Sequence, residues 1–143
     1  MLRLTKIFHF EMAHAIHGYQ GACKNIHGHS YELHVTLGTV NIQKDYIPSP
    51  GFIIDFKQIK NLVHTALIEK FDHSLVLSRA YLQDHPTNNI HDNLIIWDVE
   101  PSAENILIYM QRVLNDRLPD DIKLLQIKLY ETKDSFAEWI ADN

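Results

Sequence analysis

Only one cysteine, Cys23, occurs in the 143 residues. No internal disulfide is possible, and the thiol is either a small buried hydrophobe or a chemical group. Long apolar runs are missing too: stretches such as Leu94 to Trp97 span a few residues, against the roughly 20 that a membrane-spanning helix needs. Cation clusters are absent as well. Lysine and arginine total 13 against 18 aspartates and glutamates, a formal net charge of -5 with no lysine or arginine run, which argues against a nucleic-acid binder, since phosphate contacts need clustered cations. Met1 to Phe10 carries Arg3, Lys6 and His9 among its apolar residues and lacks a signal-peptide core, so cytoplasmic residence is expected. Glycines and prolines are scattered, with no linker and no repeat, and 45% of the chain is hydrophobic. Residues 1–143 therefore read as one domain with one core. What the chain has in quantity is histidine: there are ten, and this side chain binds metals and moves protons near neutral pH.

Alternation marks the strands. From Leu4 to Ile16, residues Phe8, Phe10, Met12 and His14 share one parity, which puts His14 on the apolar face of an extended segment. After a loop holding Gly18, Gly21 and Cys23, a second run from His27 to Gly38 places His27, His29, Tyr31, Leu33, Val35 and Leu37 on one side. Asn41 to Gly51 reads as a loop and Gly51 to Ile54 as a short extended piece. Asp55, with Gln58 three residues on, begins a helix whose stripe of Phe56, Ile59, Val63, Leu67 and Lys70 or Phe71 runs to about residue 71. A second helix begins at Ser102 after Pro101. Glu104 suits its positive end, and Ile106, Tyr109, Met110, Val113, Leu114 and Leu118 form its buried face. Leu124 to Thr132 alternates again and aligns Glu131 with Leu125, Ile127 and Leu129. Between the helices, Ser78 to Glu100 shows turn signals at His85-Pro86 and Asn88-Asn89 and one candidate strand, Leu94 to Trp97. This order predicts an α+β domain, an antiparallel sheet with both helices packed on one face.

His27 and His29 are two residues apart, so on a strand both imidazoles leave the same face, and His14 faces inward from the neighbouring strand. Three nitrogens can then grip one ion, with a fourth position open, which is the arrangement of a catalytic zinc. Two readings of Cys23 compete: a fourth ligand closing a structural site, or a free thiolate acting as a base beside the metal. Asp72-His73 pairs a carboxylate with an imidazole, either as a proton relay or as a surface pair. Glu131 is either a strand-end residue in solvent or a buried carboxylate that accepts hydrogen bonds from a heterocycle. His9, His17, His34, His64, His85 and His91 lack an inward parity or a partner and are expected at the surface.

Taken together, the segments Phe8-His9-Phe10-Glu11-Met12-Ala13-His14, Cys23-Lys24-Asn25-Ile26-His27-Gly28-His29, Gly51-Phe52-Ile53-Ile54-Asp55-Phe56, Phe71-Asp72-His73, Pro101-Ser102-Ala103-Glu104-Asn105 and Tyr130-Glu131-Thr132 resemble the 6-pyruvoyl-tetrahydropterin synthase and 6-carboxytetrahydropterin synthase family. They occur in family order over nearly the whole chain. The resemblance implies a tunnelling fold (T-fold) of β-β-α-α-β-β subunits, assembled as homotrimers or hexamers with active sites between subunits. It implies zinc held by His14, His27 and His29, with Cys23 as the general base. Asp72 and His73 would be its relay partners and Glu131 the pterin anchor, while Ser102 and Glu104 would reach in from an adjacent subunit.

The implied substrate is 7,8-dihydroneopterin triphosphate. The three residues between Cys23 and His27 resemble the compact bacterial spacing, which favours the carboxy synthase of the queuosine route over the pyruvoyl synthase. Ser78 to Glu100 is longer than the matching connection in compact members, and Ala103 stands where a hydroxyl residue is often found. Two rivals are a noncatalytic zinc-stabilised binding module, in which Cys23 completes a closed site, and a zinc-dependent cyclohydrolase acting on GTP.

Overall fold

The computed structural model describes residues 2–41, 45–86 and 92–142. Their order is β1 (Leu4–His14), β2 (His27–Thr39), α1 (residues 56–71), β3 (Ser74–Ser78), α2 (Arg79–Asp84), β4 (Leu94–Trp97), α3 (Ala103–Asn115), β5 (Ile122–Thr132) and β6 (Ser135–Ile140). β1 and β2 pair antiparallel throughout, from Leu4 opposite Leu37 to His14 opposite His27. The parity read from the sequence is the parity observed: Phe8, Phe10, Met12, Tyr31, Leu33, Val35 and Leu37 are all at most 4% exposed. Each such side chain removed from water contributes about 1.5–3 kcal/mol. A one-residue slip would turn the whole set outward, so burial itself holds the register.

α1 and α3 both pack on this face. Ile59, Val63, Leu67 and Phe71 of α1 and Ile106, Leu107, Met110 and Leu114 of α3 join the strands in one core cluster. Asp55 caps α1 by accepting from the Lys57 N–H at 2.8 Å, and its own N–H donates to Gln58 at 3.3 Å. A wide π turn over His64–Ile68 interrupts the α-helical hydrogen bonding.

The sheet order is β4-β3-β1-β2-β5-β6. β1, β2, β5 and β6 pair antiparallel, but β3 and β4 run parallel to β1, so the α+β sheet is mixed rather than antiparallel throughout. Two elements of the expected irregular stretch are ordered: β4 where it was anticipated, and α2, a short helix that was not. Asn88 and Asn89 lie outside the described residues. Gly51 to Ile54 forms no strand, although Ile54 reaches the core. In β5 a bulge falls between the pairs Thr36–Gln126 and Leu37–Leu124. It shifts parity, so Leu124 is buried at 4% while Leu125, expected inside, is only partly covered.

Three histidines expected at the surface are partly buried and engaged. His17 meets Asp84, His34 bonds Glu32, and His64 stands edge-on to Phe8. His9 and His85 are exposed, and His91 lies outside the described residues.

Candidate active site

The pairing that builds the core also gathers the histidines. His14 ends β1 opposite His27, which begins β2, and Met12 lies opposite His29. All three imidazoles stand on the core-facing side at the rim of the sheet, with His14 buried and the others partly buried. Their nitrogens lie within 4.8 Å of one another.

Hydrogen bonds identify which nitrogens are free. The Pro101 carbonyl, just ahead of α3, accepts from His14 Nδ1 at 2.6 Å, and the Asn25 carbonyl accepts from His27 Nδ1 at 2.7 Å. A carbonyl only accepts, so each ring carries its proton on Nδ1 and a lone pair on Nε2. Those two Nε2 atoms face each other at 3.2 Å. His29 Nε2 is buried with no hydrogen-bond partner. Opposed lone pairs repel, and an unsatisfied buried polar atom costs about 1–3 kcal/mol; a cation between the rings removes both penalties. Burial also holds His14 and His29 below the ordinary imidazole pKa, so both are neutral, the ligand form, at pH 7. The three histidines thus fit a metal ion.

Beside the cluster lies a cavity of about 420 Å³ bounded by His14, Cys23, Ser102, Glu104, Glu131 and Phe136 among others. Cys23 sits exposed in a single 3-10 turn, Ala22–Lys24, and its carbonyl accepts from Ile16 N–H at 2.8 Å, closing the loop between β1 and β2. Its sulfur stands outside the 4.8 Å cluster. Glu131 falls where the β5–β6 pairing shifts between Tyr130 and Thr132; a bulge of this kind re-aims a side chain. Its Oε1 lies 3.7 Å from His14 Nε2. Ser102 caps α3 by accepting from the Asn105 N–H at 3.2 Å, and Glu104 occupies the first turn. Ser102 and Glu104 were expected to reach in from an adjacent subunit. They line this chain's own cavity, because Pro101, which is bonded to His14, brings the start of α3 to the site.

Asp72 and His73 do not line that cavity. Asp72 Oδ1 accepts from the Glu11 N–H at 2.9 Å, and His73 N–H donates to the Glu11 carbonyl at 2.6 Å, with the imidazole Nδ1 3.0 Å from Asp72 Oδ1. The Glu11 N–H bond, followed by His73, lowers the Asp72 pKa. His73 adopts φ of 60° between α1 and β3 and lines a separate cavity with Glu11, Ser30 and Asn93. Glu11 and Ser30 carry the parity opposite to His14 and His29, so the dyad belongs to the helix-free face.

Tyr31, given no role from the sequence, stands with its ring edge-on to His14 and His29, the centroids 6.2 and 5.4 Å away. Its hydroxyl is buried without a partner in hydrogen-bonding geometry, and burial, reinforced by the nearby Glu131 carboxylate, raises its pKa so that the phenol stays protonated. Its parity with His27 and His29 was the available signal. The carbonyls of Pro101 and Asn25 left no signal at all.

Fold and site together define a class: an α+β protein with a small-molecule cavity beside a histidine cluster able to hold a metal. The model of the family described as 6-pyruvoyl tetrahydropterin synthase matches residues 3–141, and the chain belongs to that family. The 6-carboxy-5,6,7,8-tetrahydropterin synthase of Rickettsia bellii is 30% identical over 142 residues, covering 96% of this chain and 99% of that protein. The protein of the same name from Bacillus subtilis is 30% identical over 135 residues, 94% of this chain and 82% of its own length. The structure of Caenorhabditis elegans 6-pyruvoyl tetrahydropterin synthase superposes with a TM-score of 0.71 at 18% identity, covering 99% of this chain and 96% of that one. That likeness establishes the T-fold.

Proposed function

We propose that residues 1–143 form one domain, a zinc-dependent 6-carboxy-5,6,7,8-tetrahydropterin synthase converting 7,8-dihydroneopterin triphosphate to 6-carboxytetrahydropterin, acetaldehyde and triphosphate. The observation that carries this reading is one cavity joining His14 of the histidine cluster, the Cys23 thiol and the Glu131 carboxylate, in a chain alike over its full length to proteins of that name. His14, His27 and His29 would hold the zinc, which when bound supplies Lewis-acid polarisation of the substrate's side-chain hydroxyls. Glu131 accepts from the paired N–H donors of the pterin ring and sets its orientation. Cys23, as thiolate, takes the carbon-bound side-chain proton next to the ring. Ser102 and Glu104 contact the substrate from the start of α3.

The Asp72–His73 dyad lies on the other face of the same chain, so as a proton relay it would serve the Cys23 of a second copy. That placement supports a homo-oligomer with sites at subunit boundaries. The carboxy product is favoured over the pyruvoyl one by the names of the bacterial relatives and by the short Cys23 to His27 spacing. A closed structural zinc is disfavoured because the Cys23 sulfur stands apart from the three imidazoles.

Incubating the purified protein with 7,8-dihydroneopterin triphosphate and analysing products by mass spectrometry should show 6-carboxytetrahydropterin and trapped acetaldehyde. A product that keeps the three-carbon side chain, with no acetaldehyde, would make it a pyruvoyl synthase; formate released from GTP would make it a cyclohydrolase. Glu131→Gln should weaken pterin binding about 10–100-fold. The amide presents only one acceptor to two ring donors, and a hydrogen bond to a charged group is worth about 1.5–3 kcal/mol. Fluorescence titration with a pterin measures this, and unaltered affinity would remove Glu131 from the binding surface.

A further inference from the structure

We propose that the polyphosphate tail of the substrate lies in a second cavity, lined by Lys24, His17 and His85, which adjoins the site cavity along Ile16 and Tyr19. The proposal rests on the pterin-triphosphate reading above and names the part of the molecule that reading leaves unplaced.

Charge decides where the tail can go. The site cavity includes the carboxylates Glu104 and Glu131 and no lysine or arginine; the metal that the histidines would hold is engaged by the side-chain hydroxyls, so a triphosphate finds repulsion there and no counter-charge left for it. The cavity beside the Asp72–His73 dyad offers the His73 imidazole, but its one fully charged group is the Glu11 carboxylate. The third cavity, about 440 Å³, contains Lys24. This residue directly follows Cys23 in the 3-10 turn, so a tail leaving the reacting carbons beside the thiol meets the ammonium next. Lys24 is exposed and makes no ion pair among the described residues.

The rest of the wall fits an anion held at its rim. His85 Nδ1 donates to the Tyr81 carbonyl at 3.1 Å, and the ring stacks on Tyr81 at 4.4 Å, which fixes the ring in the cavity wall and leaves Nε2 as its second polar atom. The two carboxylates nearby are already engaged: Asp84 lies 3.3 Å from His17 Nε2, and Glu100 accepts the His17 N–H at 2.6 Å. Gly18, at φ of 77°, has no atom within 4 Å of where a Cβ would stand, so the chain turns there without filling the cavity.

The probes are neopterin triphosphate and neopterin, which share the ring and differ in the tail, titrated by pterin fluorescence into the metal-loaded full-length chain and into Lys24→Met/His85→Gln. Both side chains are exposed, so the substitutions leave the core untouched. The wild type should bind the triphosphate roughly tenfold or more tightly than neopterin. The double variant should bind the two within about threefold of each other, with its neopterin affinity unchanged. A preference that survives in the double variant overturns the tail site and leaves the function standing. Equal wild-type affinity for the two ligands overturns it as well. A wild type that binds neither pterin overturns both the site and the reading on which it rests.

Discussion

Cys23→Ala should lower turnover of 7,8-dihydroneopterin triphosphate about 10²–10⁴-fold, the range a positioned general base contributes, while metal content and melting temperature stay at wild-type values. The separation follows from geometry. The thiol is exposed, in a short turn whose closing bond, Ile16 N–H to the Cys23 carbonyl at 2.8 Å, belongs to the backbone and survives the substitution. Its sulfur is not among the nitrogens gathered within 4.8 Å, so truncation removes no metal ligand. Steady-state kinetics alongside elemental analysis checks both halves. If zinc left together with activity, Cys23 would be a fourth ligand, and the closed noncatalytic module would replace the enzyme reading.

The sequence made the histidine cluster legible because a strand's period of two is unforgiving. Once Phe10 and Leu33 face the core, His14, His27 and His29 must follow them to the same side. Helix entry at Asp55 was legible for a comparable reason, since a side-chain acceptor with glutamine three residues on satisfies N–H groups that any helix start leaves free. The misses have physical causes. β3 shows no alternation because four of its five residues are buried, as befits a strand paired parallel and flanked on both edges by other strands. Leu125 was placed inside because a bulge changes parity without any mark in composition. The resemblance implied Asp72 and His73 as relay partners of Cys23, and spacing along a chain does not say on which face of a sheet such a turn will land. Their backbone ties to Glu11 decide that.

His27→Ala should abolish stoichiometric metal and activity together, with the fold retained. His27 Nε2 is one of two lone-pair nitrogens facing each other at 3.2 Å, with its tautomer set by the Asn25 carbonyl at 2.7 Å. Two imidazoles, from His14 and His29, would remain, and a pair of neutral nitrogens holds a divalent ion poorly against water and chelators. The core does not depend on the ion. Phe10, Leu33, Leu67, Ile106 and Ile127 are at most 2% exposed and pack together away from the rim where the histidines stand. Removing His27 should also relieve the lone-pair opposition in the metal-free chain, so the melting temperature of metal-free His27→Ala should equal or exceed that of metal-free wild type. Elemental analysis and thermal melting of both proteins, with and without chelator, decide the matter. Full zinc occupancy in the variant would overturn the ligand assignment. Unfolding of the wild type on chelation would instead mark the metal as structural, because a closed site supplies much of a small domain's folding free energy whereas an open one at the rim of a completed core does not.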